Sequence, residues 1–218
     1  TFLAAALTTA SLASGIACAD PITWTDWSAG EGGPQGTIGS VGLTFTATGG
    51  INFLQDGVTG NLFNYFQESY GDLTYTGSPT VDNGPTPAEM VSMNAASDNT
   101  VLFDESVSNL LMAIVSMGQS GLPVTYDFGT TEFSVLSFGR NQWGYTDYQV
   151  QGNTILIGRE FNGVIQFEGD LSELSWTSTG EYWHGFTLGV VSEVPEPATL
   201  ALFGLGLAGI GFSRRKKA

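Results

Sequence analysis

Along most of this chain apolar residues alternate with polar ones, and they seldom recur at helical spacing. Leu43, Phe45 and Ala47 are interleaved with Gly and Thr across Val41–Ala47, the pattern of a strand with one buried and one solvated face. The theme repeats at 73–76, Phe133–Phe138, 153–157, 164–168, 174–177 and 186–191. The denser apolar run Leu110–Met117 predicts a central strand covered on both faces, with a short helix as the competing reading. Gly with Ser, Thr or Asn punctuates these runs at 30–36, 49–50, 118–121 and 178–180, where turns are expected. The longest irregular stretch, 78–89, holds three prolines, and 88–96 has the length for one brief helix. About ten short strands without a long amphipathic helix predict an all-β body, an antiparallel β-sandwich of jelly-roll-like kind.

The two ends break this pattern. Residues 1–16 are small, apolar and uncharged, and Ala17-Cys18-Ala19 precedes Asp20. That is the layout of a secretory signal peptide cut after Ala19 by signal peptidase, with Ala17 and Ala19 as the cleavage determinants. The Met and basic residues that open such a leader are absent, so the sequence is expected to start inside it. At the other end Val194-Pro195-Glu196-Pro197 leads into a charge-free run from Ala198 to Phe212, followed by Arg214, Arg215, Lys216 and Lys217. Lys and Arg resist translocation, so a single transmembrane helix with its basic end in the cytoplasm is expected, and the body lies outside. A fifteen-residue helix spans only about 22 Å, short of a hydrocarbon core of about 30 Å. A buried core helix is the competing reading, but the run is apolar around its whole circumference and sits beside a cationic cluster.

Pro-Glu-Pro, apolar helix and basic end in this order resemble the PEP-CTERM sorting signal of bacterial envelope and exported proteins. The resemblance implies that Pro195, Glu196 and Pro197 are the mark read by an exosortase-type membrane processing enzyme, and that Arg214, Arg215, Lys216 and Lys217 form the basic stop. It also implies export across the inner membrane, transient anchoring, and a final place at the cell surface or beyond. Stretches 112–116 and 181–187 are similar to body segments of other proteins with this signal. The expected layout is a signal peptide at 1–19, a β-sandwich body at 20–193 and a sorting segment at 194–218.

Charge and cysteine narrow the function. Cys18 is the single cysteine and would leave with the signal peptide, so the mature body is expected to hold neither a disulfide nor a thiolate metal site. A lipoprotein anchor at Cys18 is disfavoured, because Gly15 stands where such signals carry Leu. Of six Lys and Arg residues only Arg140 and Arg159 lie in the body, against all but one of the 21 acidic residues. Such a surface repels nucleic acid and anionic polymers. Solubility explains it better than a dedicated calcium site, since no EF-hand loop is present, although weak calcium binding fits so acidic a surface; no cofactor is expected.

Little in the chain points to catalysis. His184 is the single histidine, which removes multi-histidine metal sites and leaves any Ser/His/Asp triad dependent on it. Gly118-Gln119-Ser120-Gly121 lacks the nucleophile-elbow spacing. The imidazole is expected to hydrogen-bond across a strand end. Aromatic residues carry the better signal: Trp143, Tyr145 and Tyr148 share one loop, and Tyr182 and Trp183 precede His184 in another. Exposed rings beside amides and carboxylates hold sugars by stacking, whereas the competing reading packs these rings into the core or its ends. The expected protein is a non-enzymatic, structural or adhesive component of the envelope or matrix. A carbohydrate-binding module for exopolysaccharide is the alternative, and a glycoside hydrolase-like enzyme the least favoured.

Overall fold

The computed structural model describes residues 21–58, 63–66, 76, 80–81, 83–144 and 147–192. Within them the chain forms fifteen strands and no helix: β1 (Ile22–Trp24), β2 (Asp26–Gly30), β3 (Gly33–Ile38), β4 (Val41–Ala47), β5 (Phe53–Gln55), β6 (Met90–Met93), β7 (Ser97–Ser108), β8 (Leu110–Met117), β9 (Val124–Asp127), β10 (Phe133–Phe138), β11 (Asp147–Gln151), β12 (Ile155–Arg159), β13 (Phe161–Phe167), β14 (Asp170–Ser178) and β15 (His184–Val191). All described pairings are antiparallel. One sheet runs β10-β13-β8-β15-β6-β5, with β1 also paired to β15, and the other runs β11-β12-β9-β14-β7-β4-β3-β2. Only β2–β3, β3–β4, β5–β6 and β11–β12 connect within a sheet; every other step crosses to the opposite one.

Alternation explains how the sheets meet. Leu43 and Phe45 of β4, Val101 and Phe103 of β7, and Leu174 and Trp176 of β14 point inward from the eight-stranded sheet. Met112 and Ile114 of β8, Ile165 and Phe167 of β13, and Phe186 and Leu188 of β15 meet them from the other. Apolar side chains from two inner faces interdigitating in this way make the single core of a sandwich.

β8 is a strand buried along its whole length, as its unbroken apolar run leads one to expect. Its odd positions Leu111, Ala113 and Val115 form a second apolar layer with Ile22, Trp24, Phe66, Val81, Met90 and Val164 on the outer side of the same sheet. Phe66 and Val81 come from the long β5–β6 connection, so that two of its described residues pack onto the outer face. Asn83 pins it: the Ile22 N–H donates to Asn83 Oδ1 at 2.7 Å, and Asn83 Nδ2 donates to the Ile22 carbonyl at 2.9 Å. The Trp24 indole adds a third bond, to the Asn83 carbonyl at 3.1 Å.

The structure corrects several expectations. The stretch 88–96 makes no helix; its centre is β6, buried at all four positions and paired with β15 on one side and β5 on the other. Tertiary pairing has overridden local preference, as it often does for short segments. The glycine cluster 30–36 is more than a turn: it closes the β2–β3 hairpin, with Gly32 and Gly33 at positive φ and the flanking Trp27 and Ile38 buried. Asn153 and Thr154 form the turn before β12 and are not part of the strand. Of the segment 73–76 only Thr76 lies within the described residues, and the signal peptide, the C-terminal helix and the sorting segment lie outside them.

Candidate functional site

At the end of the sandwich where β15 begins, aromatic side chains from four separate parts of the chain converge. Trp143 comes from the β10–β11 connection, Trp183 from the residue before β15, Phe63 and Tyr65 from the β5–β6 connection, and Phe53 from β5. Trp143 and Trp183 meet edge to face with ring centroids 5.0 Å apart. Tyr65 stacks on Trp143 at 5.9 Å and 14°, and meets Trp183 in a T-shaped contact at 5.1 Å. Phe63 and Phe53 flank Tyr65 at 5.1 and 5.7 Å. The group is half open to solvent: Trp143 keeps 38% of its surface and Phe63 43%, while Tyr65 and Trp183 are intermediate.

The two aromatic loops singled out in the sequence are therefore brought together, but not all of their members. Tyr182 is 80% exposed and belongs to no described ring contact. Tyr148 turns to the sandwich side, against Phe138 and Phe161, where it bridges the two sheet edges. Tyr145 lies outside the described residues. Phe53, Phe63 and Tyr65 were not foreseen, because nothing local ties them to rings so far along the chain.

A polar network holds the Trp143 loop. Asn141 Oδ1 accepts the Trp143 N–H at 2.8 Å, an Asx turn, and Asn141 Nδ2 donates to Asn162 Oδ1 at 2.7 Å. The same Asn162 oxygen accepts the Ser116 N–H at 2.8 Å, and Asn162 Nδ2 donates to the Glu160 carbonyl at 2.8 Å. These contacts arise at a β-bulge, where the β8–β13 register shifts between Phe161 and Gly163. Ser116 and Glu160 both adopt positive φ, 55° and 61°. Strained backbone and bulges re-aim side chains, and both features concentrate at functional sites. Here they turn the Ser116 hydroxyl to donate to Glu160 Oε2 at 3.2 Å.

Beneath the loop lies a second carboxylate. Gly118 sits between the two: its carbonyl accepts the Glu160 N–H at 2.9 Å, and its N–H donates to Glu181 Oε1 at 2.6 Å. A side chain at position 118, where φ is +75°, would run into the Gly158 carbonyl. Glu181 Oε1 also stands 3.0 Å from His184 Nδ1. The contact is out of line for a hydrogen bond, and both imidazole nitrogens lack a partner although His184 is fully buried. The expected cross-strand hydrogen bond of His184 is thus not made, because the ring faces the core beside Tyr126, 5.5 Å away. The buried Tyr126 hydroxyl also lacks a partner. Burial, and then the Glu181 charge, holds that phenol well above its ordinary range. Burial also raises the Glu160 carboxyl; the Ser116 hydrogen bond opposes the rise and the Glu181 charge adds to it.

Concavities also lie elsewhere. An apolar one of about 320 Å³ opens beside the β2–β3 turn over Phe45, Ile51 and Leu54. A shallow polar one of about 490 Å³ crosses the outer face of the eight-stranded sheet, with Asp98, Asp127 and Glu173 among Ser and Thr hydroxyls. Neither includes an aromatic residue foreseen for ligand contact. Among the described residues no three His, Cys, Asp or Glu side chains are grouped to hold a metal.

Comparison with known families finds the PEP-CTERM protein-sorting motif at residues 193–216, which coincides with the Pro-Glu-Pro, apolar and basic stretch. This signal marks an exported protein that is handled by an exosortase-type enzyme, held at the membrane and destined for the cell surface. No curated protein and no solved structure matches the chain.

Proposed function

We propose that the protein is a non-enzymatic component of the cell surface or extracellular matrix, with a jelly-roll-like body that adheres to polysaccharide through its aromatic end. The observation that carries this reading is the half-open cluster of Trp143, Trp183, Tyr65 and Phe63, built from three separate connections. A solvent-facing indole offers the apolar face on which a sugar ring stacks, and the Glu160 carboxylate beside it offers a hydrogen-bond acceptor. Binding is favoured over glycoside hydrolysis because Glu181 is almost wholly buried and already bound to the Gly118 N–H, with no free face toward a sugar.

Two experiments test this reading. Affinity electrophoresis of the mature protein through gels containing soluble polysaccharide should show retardation that Trp143→Ala abolishes; equal mobility of the two proteins in every gel would remove the adhesive role. Replacing Pro195 and Pro197 by Ala should leave unprocessed protein in the membrane fraction. Normal processing and location of that variant would end the motif-dependent part of the proposal.

A further inference from the structure

The aromatic end has a charge as well as a face, and the charge narrows the ligand. Glu160 stands directly under the loop that carries Trp143: a Cβ built on Gly144 would lie 3.1 Å from Glu160 Cγ. The absence of a side chain at 144 therefore lets the residue after Trp143 close onto the carboxylate. Glu160 is half-exposed, and the Ser116 hydroxyl fixes one of its oxygens, Oε2. The body's two cations do not neutralise it. Arg159, its chain neighbour, pairs with Asp147 at 3.5 Å, and neither it nor Arg140 is among the groups that act on the Glu160 carboxyl. The charge acting on Glu160 is instead a second carboxylate, Glu181. An aromatic face with uncompensated negative charge at its foot suits a cation, which gains from the ring quadrupole and from the carboxylate together.

Resting on the platform reading above, we propose that this end of the sandwich selects amino sugars, seating the ammonium group of a deacetylated hexosamine between the Trp143 face and the Glu160 carboxylate. Uronate-rich chains are excluded by the same carboxylates and by the acidic body. Neutral chains stack on the rings but forgo the ion pair. The favoured polymer is one in which free amines recur along the chain, so that neighbouring copies of the protein find equivalent seats.

Isothermal titration calorimetry with a glucosamine hexamer, an N-acetylglucosamine hexamer and a glucose hexamer tests the assignment on the mature protein. The glucosamine hexamer should bind about tenfold more tightly than the other two. That preference should vanish in Glu160→Gln and persist in Glu105→Gln, an exposed carboxylate near the opposite end of the sandwich. Raising NaCl from about 0.05 to about 0.5 M should erode the preference in the unmodified protein, a readout independent of any substitution. Equal binding of all three hexamers with no effect of Glu160→Gln would overturn the amine assignment and leave the aromatic platform standing. Equal losses in Glu160→Gln and Glu105→Gln would overturn it as well, by reducing the preference to diffuse charge. Binding of none of the three, with Trp143→Ala indistinguishable from the parent, would take down the platform and the amine assignment together.

Discussion

Two aromatic assemblies share this sandwich, and their ring geometry is nearly the same. In the core Phe45 stacks on Trp176 at 5.7 Å, and Phe186 sets its edge against both at 5.1 and 5.3 Å. At the end Tyr65 stacks on Trp143 at 5.9 Å and both meet Trp183 in T-shaped contacts. What separates them is water. The core rings come from strands and are sealed by both sheets, whereas the end rings come mainly from connections and keep an open side. Rings on strands contribute burial to folding; rings on connections, positioned by that rigid frame, are available for contact.

The comparison is broken most sharply by truncating one ring from each assembly. Phe186→Ala, fully buried between the sheets, should cost about 3–5 kcal/mol in urea denaturation. A loss below about 1 kcal/mol would mean that the core assembly is no more sealed than the other. Gly118→Ala should cost about 1–3 kcal/mol, because positive φ and the Gly158 carbonyl leave no place for a methyl group. Differential hydrogen exchange should put the loosening at the amides around Ser116 and Glu160; an unchanged melting curve would contradict the crowding at that joint. Trp143→Ala should cost no more than about 1 kcal/mol while losing polysaccharide retention, the opposite balance to Phe186→Ala. Glu160→Gln should act least, and with a definite sign. A carboxyl raised in the folded state from its ordinary value of 4.5 binds its proton more readily when folded, so its ionised form detracts from stability above the raised value. Tm should therefore rise slightly in the variant at neutral pH, and the gain should shrink as pH falls toward 4.5. A lower Tm at neutral pH would show that the carboxylate's own contacts outweigh its burial.

The core assembly was the more legible of the two in the sequence. Phe133–Phe138 and Val41–Ala47 have the ends their alternation predicts, and Leu110–Met117 is the doubly buried strand its apolar density implies. Period-two patterning survives because each strand's two faces meet different surroundings. β6 was misread because Met-Val-Ser-Met carries neither period; only its neighbours Phe53 and Gly185, brought in through Ser92, define it as a strand. The end assembly was legible only in part. Trp143 and Trp183 stand out by residue type, but Tyr65 is placed by long-range packing that no local pattern announces, beside Phe66 in the outer apolar layer, and Phe63 by its contact with Tyr65. Glu160 gave no sign at all, since its role follows from a bulge that only strand register creates.

The antiparallel pairing of β1 with the end of β15, closed by the Ser192 N–H on the Pro21 carbonyl at 2.8 Å, gives the body a pole. Both ends of the described chain leave from there, while Trp183 stands at the other end of β15, eight residues and about 26 Å away. A body leashed through the residues after Ser192 would therefore hold Trp143 and Trp183 outward, away from the tether.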